Sequence, residues 1–376
     1  MKTYCKAPFL GPTIDPSGKI ILCCAAERDY LDTHINSIDS IQDFFDGEQY
    51  SKTRTAVALH GIEKLGSVCE YCLNSRKADP AAYTQIDHYK QFTPNKDSKV
   101  SYLEVTTSNV CNQTCATCES YFSSKWRKIH NIFHDWEPAP SYIMNDKALQ
   151  SVLETLPNLT YLTLKGGEPT ADRNNLKILN RLIEVNPECE VGVVSNFQEV
   201  SDDWWKVIES LKNLNIAVSV DGIGETYDWI RGGNYESTLA NIKWCSKMYP
   251  ENTLRINVLV SLYNIFDLKN IYDVFTELNI GIIMNNITYG PDYASPFVFS
   301  YDELSTILND EYGSVSTPFI PQRLMIESNF HDKYKRPYNI NKCFEFINKM
   351  DSLRGFSLFD VQPKLKKALM KYVRSS

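Results

Sequence analysis

Between residues 97 and 290 the chain alternates two hydrophobic periods. Short β-branched and apolar runs bounded by turn residues predict strands at Tyr102–Thr106, Leu159–Leu164, Glu190–Val194, Ile216–Ser219, Arg255–Val260 and Ile280–Met284. Helical spacing of apolar positions between them predicts helices over Ser120–Phe133, Lys147–Leu156, Asn175–Val185, Asp203–Leu211, Tyr235–Met248 and Leu268–Leu278. Strands that alternate with helices favour a parallel sheet, and six are too few for a closed (β/α)8 barrel. Outside this stretch the pattern changes. Residues 1–92 are irregular, with a turn at Asp15–Lys19 leading into a short strand at Ile20–Leu22. Residues 291–376 read as a mostly helical extension with a polar loop from Asn329 to Asn341 and a basic end. Three domains are expected, at 1–92, 97–290 and 291–376.

Composition narrows this only a little. With 376 residues, 43% apolar and 23% charged, the chain is ordinary globular protein. A net charge of −7 argues against binding driven by nucleic-acid phosphates. Met1–Leu10 carries no long apolar core and Ile20–Ala26 is too short to cross a bilayer, so a cytoplasmic protein is expected.

Cysteine changes the picture more. Eleven cysteines in a reducing compartment call for a reason other than disulfides. Cys189, Cys245 and Cys343 stand alone; Cys189 and Cys245 read as small core residues, while Cys343 stays open as a residue that could reach toward the N-terminal cysteines. Cys111, Cys115 and Cys118 share one short loop in C-x3-C-x2-C spacing after the first strand of the alternating region. Three soft thiolates so close suit iron–sulfur chemistry, whereas a closed structural zinc site wants a fourth ligand that this loop lacks. After the second strand comes Gly166-Gly167-Glu168-Pro169, two glycines that permit close backbone approach followed by a carboxylate suited to an ammonium. Ser195-Asn196 and Ser219-Val220-Asp221-Gly222 follow the third and fourth strands. Their bland reading is turn chemistry.

Cys111-Asn-Gln-Thr-Cys115-Ala-Thr-Cys118 resembles the cluster loop of radical S-adenosylmethionine (radical SAM) enzymes, and Gly166–Pro169 resembles their GGEP motif. The resemblance implies a partial (β/α)6 TIM barrel with a [4Fe-4S] cluster on Cys111, Cys115 and Cys118. In it, Glu168 and the Gly166–Pro169 backbone hold the amino group of SAM, and Asn196 and Ser219 contact its ribose and methionine parts. Tyr227-Asp-Trp-Ile-Arg231-Gly232 is similar to a run in peptide-modifying members, where the arginine takes the SAM carboxylate in a bidentate fork. Val260–Asn264 matches a segment whose backbone lies near adenine. One position departs. Thr117 stands where the family carries an aromatic residue, which leaves Tyr121 or Phe122 to cover the nucleoside.

Cys5 and Cys23 frame a C-x12-G-x4-C pattern through Gly18, and Cys69-Glu-Tyr-Cys72 adds a C-x2-C knuckle. This resembles the SPASM and twitch extensions that bind auxiliary [4Fe-4S] clusters, with twitch the better fit to a single set. Such extensions normally follow the barrel, whereas this one precedes it. Four thiolates suit structural zinc equally well by spacing, and the company of the central loop favours the cluster. Cys24, beside Cys23, is an alternative ligand.

The resemblance implies an enzyme that cleaves SAM reductively to a 5′-deoxyadenosyl radical, with a flavodoxin- or ferredoxin-type electron donor and a peptide, protein or small-molecule substrate. The competing class is a noncatalytic metal-stabilised binding protein on the same fold. Asp351-Ser-Leu-Arg354 lies among apolar positions and reads as a packing helix. Lys364 to Arg374 reads as a solvated basic face, and His130 and His134 lack metal-like company.

Overall fold

The structure is a computed structural model and describes residues 2–78, 83–248, 254–288, 290–321, 324, 325, 328 and 340–373. Among the described residues the strands are β1 (Thr13–Ile14), β2 (Ile20–Ile21), β3 (Tyr102–Val105), β4 (Tyr161–Leu164), β5 (Glu190–Ser195), β6 (Leu214–Ser219), β7 (Leu254–Val260) and β8 (Gly281–Ile287). The helices used below are α1 (Ser124–Phe133), α2 (Asp146–Thr155), α3 (Arg173–Val185), α4 (Asp202–Ser210), α5 (Glu225–Arg231), α6 (Tyr235–Met248), α7 (Leu268–Glu277) and α8 (Ile340–Arg354). All six strands and six helices expected from the alternating pattern are present, with ends shifted by up to four residues. The chain divides into two compact units.

The first unit comprises residues 1–110, 140–194 and 201–215. Its sheet runs β2-β1-β3-β4-β5, with β1 antiparallel to β2 and the other pairs parallel. The predicted turn at Asp15–Lys19 closes the β1–β2 hairpin. Asp15 Oδ1 accepts from the Ser17 and Lys19 N–H groups at 2.8 and 3.0 Å. β1 lies parallel to β3 in the register Thr13↔Glu104 and Ile14↔Val105, so the cysteine-rich segment extends the same sheet. Helices α2 and α3 bury Leu149, Val152, Ile178, Leu179 and Leu182, the apolar positions that recur at helical spacing. Asn145 and Asp172 cap their N-termini by accepting from Ala148 N and Asn174 N.

The second unit comprises residues 111–139, 195–200 and 216–376. β6, β7 and β8 pair in parallel order, with a register shift between Asn257 and Leu259. Ile256, Val258 and Val260 alternate along β7 and form its buried apolar face, while Arg255 on the other face is exposed and Asn257 and Leu259 are half-buried. Helix α8 buries Cys343, Phe346, Ile347 and Met350 as a packing helix should. The polar loop expected at 329–341 lies almost wholly outside the described residues. Among the described residues no helix is long and apolar enough to cross a membrane.

Candidate active site

The loop that carries Cys111, Cys115 and Cys118 is irregular, yet it is tied down along its length. Cys111 N donates to Ser124 Oγ at 3.2 Å and Cys118 N to Cys115 O at 3.0 Å. Ser123, the N-cap of α1, donates through Oγ to Gln113 O at 3.0 Å, and Trp126 Nε1 donates to Cys115 O at 2.7 Å. Ala116 N reaches Ile230 O in α5 at 2.5 Å. The predicted helix over 120–133 therefore starts later, because Ser120–Ser123 serve the loop and the cap.

All three cysteines are half-buried and in no disulfide. Burial pushes the Cys115 and Cys118 thiols up, and the Arg231 cation pulls both the other way with less effect. Such thiols become ligands when a metal replaces the proton. Among the described residues no three His, Cys, Asp or Glu side chains converge as ligands of one metal ion. A multi-iron cluster asks for something else, thiols spread around its corners.

Gln113, inside the loop, organises its polar surroundings. Its Nε2 donates to Gln198 Oε1 at 3.0 Å and Tyr227 Oη at 3.3 Å, while its Oε1 accepts from Arg231 Nε at 3.1 Å. Gly233 makes the room, since a Cβ there would lie 2.4 Å from both Gln113 Nε2 and Gln198 Oε1. Asn196, buried at the end of β5, donates to Asn112 Oδ1 at 2.7 Å. The structure thus brings Asn196 to the cysteine loop. Ser219 stands half-buried at the end of β6.

Arg231 ends α5 and pairs with Asp221, Nη1 to Oδ2 at 2.6 Å. Both side chains are buried, at 12% and 2% exposure, so the pair is desolvated and held by geometry. Asp221 Oδ1 also accepts from Leu259 N at 2.9 Å, which fixes the carboxylate to β7. A second guanidinium, that of Arg354 at the end of α8, donates to Thr114 Oγ1 and O at 2.8 and 2.6 Å. Sequence reasoning saw Arg354 only as part of a packing helix. No local signal marks it out, because Lys342, Glu345, Lys349 and Asp351 are charged on the same helix. Tyr121 and Phe122, the aromatic substitutes weighed for Thr117, pack edge to face at 4.9 Å with Phe122 exposed.

The Gly166–Pro169 turn belongs to the first unit. A Cβ on Gly166, whose φ is +109°, would lie 2.0 Å from Thr106 Cγ2, and one on Gly167 would lie 2.0 Å from Val110 O. Both glycines let the turn lie directly on the chain that leads to Cys111. Glu168 N donates to Val110 O at 2.6 Å. The Glu168 carboxylate is buried and accepts through Oε1 from Thr170 N and Oγ1, capping the Pro169–Ala171 turn.

Also in this unit, Cys5 and Cys72 are buried in one apolar cluster with Tyr89, Phe92 and Tyr102, and half-buried Cys23 and Cys69 pack against it. Cys24 is exposed and lies outside that cluster. Burial pushes Cys5 up to about 11 and Cys69 up to about 12, with the neighbouring Cys72 thiol adding to both. Beside Cys24, the half-buried Lys165 ion-pairs with the buried Glu104.

Three half-buried cysteines on a pinned loop, with two guanidinium groups hydrogen-bonded to that loop, make up the candidate site on an α/β scaffold. Residues 105–274 match the family profile of the Radical SAM superfamily. The match covers less than half of the chain; it supports an enzyme and leaves the reaction unspecified. Among solved structures, native anSMEcpe with bound AdoMet is similar at 18% identity over 58% of this chain and 68% of that chain, with a TM-score of 0.39. Streptococcus suis SuiB bound to S-adenosylmethionine is similar at 15% identity over 68% of this chain and 61% of that chain, with a TM-score of 0.41. SuiB bound to precursor peptide SuiA covers 84% of this chain and 64% of that one, at 14% identity and a TM-score of 0.38. The chain thus spans less than two thirds of the SuiB length. At these TM-scores the likenesses carry neither substrate nor reaction to this chain. No curated protein matches it.

Proposed function

We propose that the chain binds a [4Fe-4S] cluster through Cys111, Cys115 and Cys118 on a partial (β/α)6 barrel and cleaves S-adenosylmethionine reductively. The 5′-deoxyadenosyl radical so formed removes a hydrogen atom from a substrate. The observation that carries this reading is the cysteine loop itself: three cysteines in no disulfide, backbone-anchored by Ser123, Ser124 and Trp126, within the matched residues. The cluster, when bound, supplies the low-potential electron for that cleavage.

The chain's own residues bind and orient. Glu168 and the Gly166–Gly167 backbone receive the SAM ammonium, with Asn196 and Ser219 on the ribose and methionine parts. Arg231 offers its Nη2 edge to the SAM carboxylate, since Nη1 and Nε are engaged by Asp221 and Gln113. Cys5, Cys23, Cys69 and Cys72 hold an auxiliary [4Fe-4S] cluster; their shared packing supports this set. A flavodoxin- or ferredoxin-type protein delivers the electron. The Tyr227–Gly232 run, similar to peptide-modifying enzymes, supports a peptide or protein substrate.

The test is 5′-deoxyadenosine formation by anaerobically reconstituted, reduced protein. The parent should form it, and replacing Cys111, Cys115 and Cys118 together by Ala should abolish it. Equal cleavage by both proteins would overturn the reading.

A further inference from the structure

Arg354 is the least expected group at the cysteine loop. It arrives from the last turn of α8, 239 residues beyond Cys115 in the chain, and makes three hydrogen bonds. Nε donates to Trp229 O at 2.8 Å, Nη1 to Thr114 Oγ1 at 2.8 Å and Nη2 to Thr114 O at 2.6 Å. Every acceptor is neutral. Among the described residues no carboxylate pairs with Arg354; the nearest acid on its own helix, Asp351, is engaged by Trp229 Nε1 at 2.7 Å and Leu358 N at 2.9 Å.

The contrast with Arg231 is instructive. That guanidinium has Asp221 as its counterion, so it adds little net charge to the site. Arg354 adds a full one. Enclosing a cation without an anion is costly, and burial pulls the Arg354 pKa down to about 10 while the Cys115 thiol works the other way. The fold makes room for the guanidinium all the same. Gly232 ends α5 at φ +60°, and a Cβ there would lie 2.5 Å from Arg354 Nη1 and 2.6 Å from Cζ. A half-buried cation beside a thiol loop with only neutral partners fits an anion that the loop itself receives. A thiolate-held iron–sulfur cluster is such an anion, and it gains further negative charge on reduction.

We infer that Arg354 is a positioning residue of the three-thiol site, anchoring the loop at Thr114 and supplying the counter-charge that favours the reduced cluster. This rests on the reading that Cys111, Cys115 and Cys118 hold the cluster. Helix α8, beyond the matched residues, is then part of the redox site.

The test compares Arg354→Gln and Arg354→Lys in the full chain, reconstituted anaerobically. Both variants lose the planar fork; only the second keeps the charge. A potentiometric titration follows the reduced electron paramagnetic resonance signal that SAM addition perturbs. Arg354→Gln should show at least a tenfold smaller reduced-to-oxidised ratio at a fixed potential, about 59 mV for one electron, while Arg354→Lys stays near the parent. Iron content gives the same comparison where a variant holds cluster poorly: retention by Lys and loss by Gln supports the inference. Equal behaviour of the two variants, shifted or unshifted, overturns the charge role. A parent with no SAM-sensitive signal overturns the three-thiol reading itself, and the role of Arg354 with it.

Discussion

Gly167→Ala is the sharpest test of how the SAM-motif turn is built. The added Cβ would lie 2.0 Å from Val110 O, 2.6 Å from Val110 C and 2.7 Å from Asn109 C, all backbone atoms with no rotamer to turn away. Relief must move either the turn or the chain just before Cys111. Overpacking of this kind costs about 1–3 kcal/mol. Moving the strands of chain apart also removes the Glu168 N to Val110 O bond of 2.6 Å, worth about 1 kcal/mol more. A destabilisation of about 3 kcal/mol is expected on those two terms. The control is Gly66→Ala in the same unit. Gly66 has nothing within 4 Å of its Cβ position, so only the penalty for its glycine-favouring backbone, φ +57° and ψ −121°, applies, about 1–3 kcal/mol. Urea unfolding followed by tryptophan fluorescence would read both variants against the parent. If Gly167→Ala unfolded at the parent's midpoint, the turn would not press on residues 109–110 as described.

Four further outcomes are expected. Asp221→Ala strands the buried Arg231 cation and should destabilise the protein by about 3–5 kcal/mol in the same unfolding assay, far more than loss of an exposed pair such as Lys206–Asp203. Glu168→Gln should weaken SAM binding about tenfold or more by isothermal calorimetry on reconstituted protein, since a hydrogen bond to a charged group is worth about 1.5–3 kcal/mol. Cys23→Ala in a chain lacking the central three cysteines should lose iron and sulfide that Cys24→Ala retains; zinc without sulfide in that chain would make the N-terminal site structural. Burial pushes the Asp87 carboxyl up, but bonds from Lys90, the Thr84 N–H and Arg76 outweigh it and hold the group well below the usual carboxylate range. A carboxylate so depressed adds stability above its unfolded pKa of about 4 and loses it as pH falls from there, so Asp87→Asn should flatten part of the acid limb of the urea midpoint.

The alternating region was readable because each of its elements satisfies a local rule. Strands such as Arg255–Val260 are apolar runs between turn residues, and helices such as α3 carry their caps and apolar stripe within a dozen residues. Thiols and glycines at strand ends were readable for the same reason, being local spacings. What the sequence withheld depends on contacts between distant segments. β1 is only two residues long, and nothing in Thr13–Ile14 announces a parallel neighbour some 90 residues later. Asp221 looked like a turn residue until Arg231 was seen to fold back on it from α5. Gly232 ends α5, and its lack of a side chain admits the guanidinium from α8.

Arg354 shows why that gap is physical. A helix pattern reports which face is apolar, and of the spacing Phe344, Ile347, Met350 and Leu353 the structure buries Ile347 and Met350, adds Cys343 and Phe346 to that face and leaves Leu353 exposed. It cannot report what a charge at the last turn meets, because this depends on where the helix ends rather than on its period. A charge that ends a packing helix normally reaches water. Here it reaches Thr114 O and Trp229 O, two backbone acceptors that neither segment could reveal alone. Backbone carbonyls partly solvate a guanidinium but leave its charge uncancelled. The cation therefore retains its preference for an anion at the loop, and the charge of the cysteine site is completed by a helix outside the matched domain.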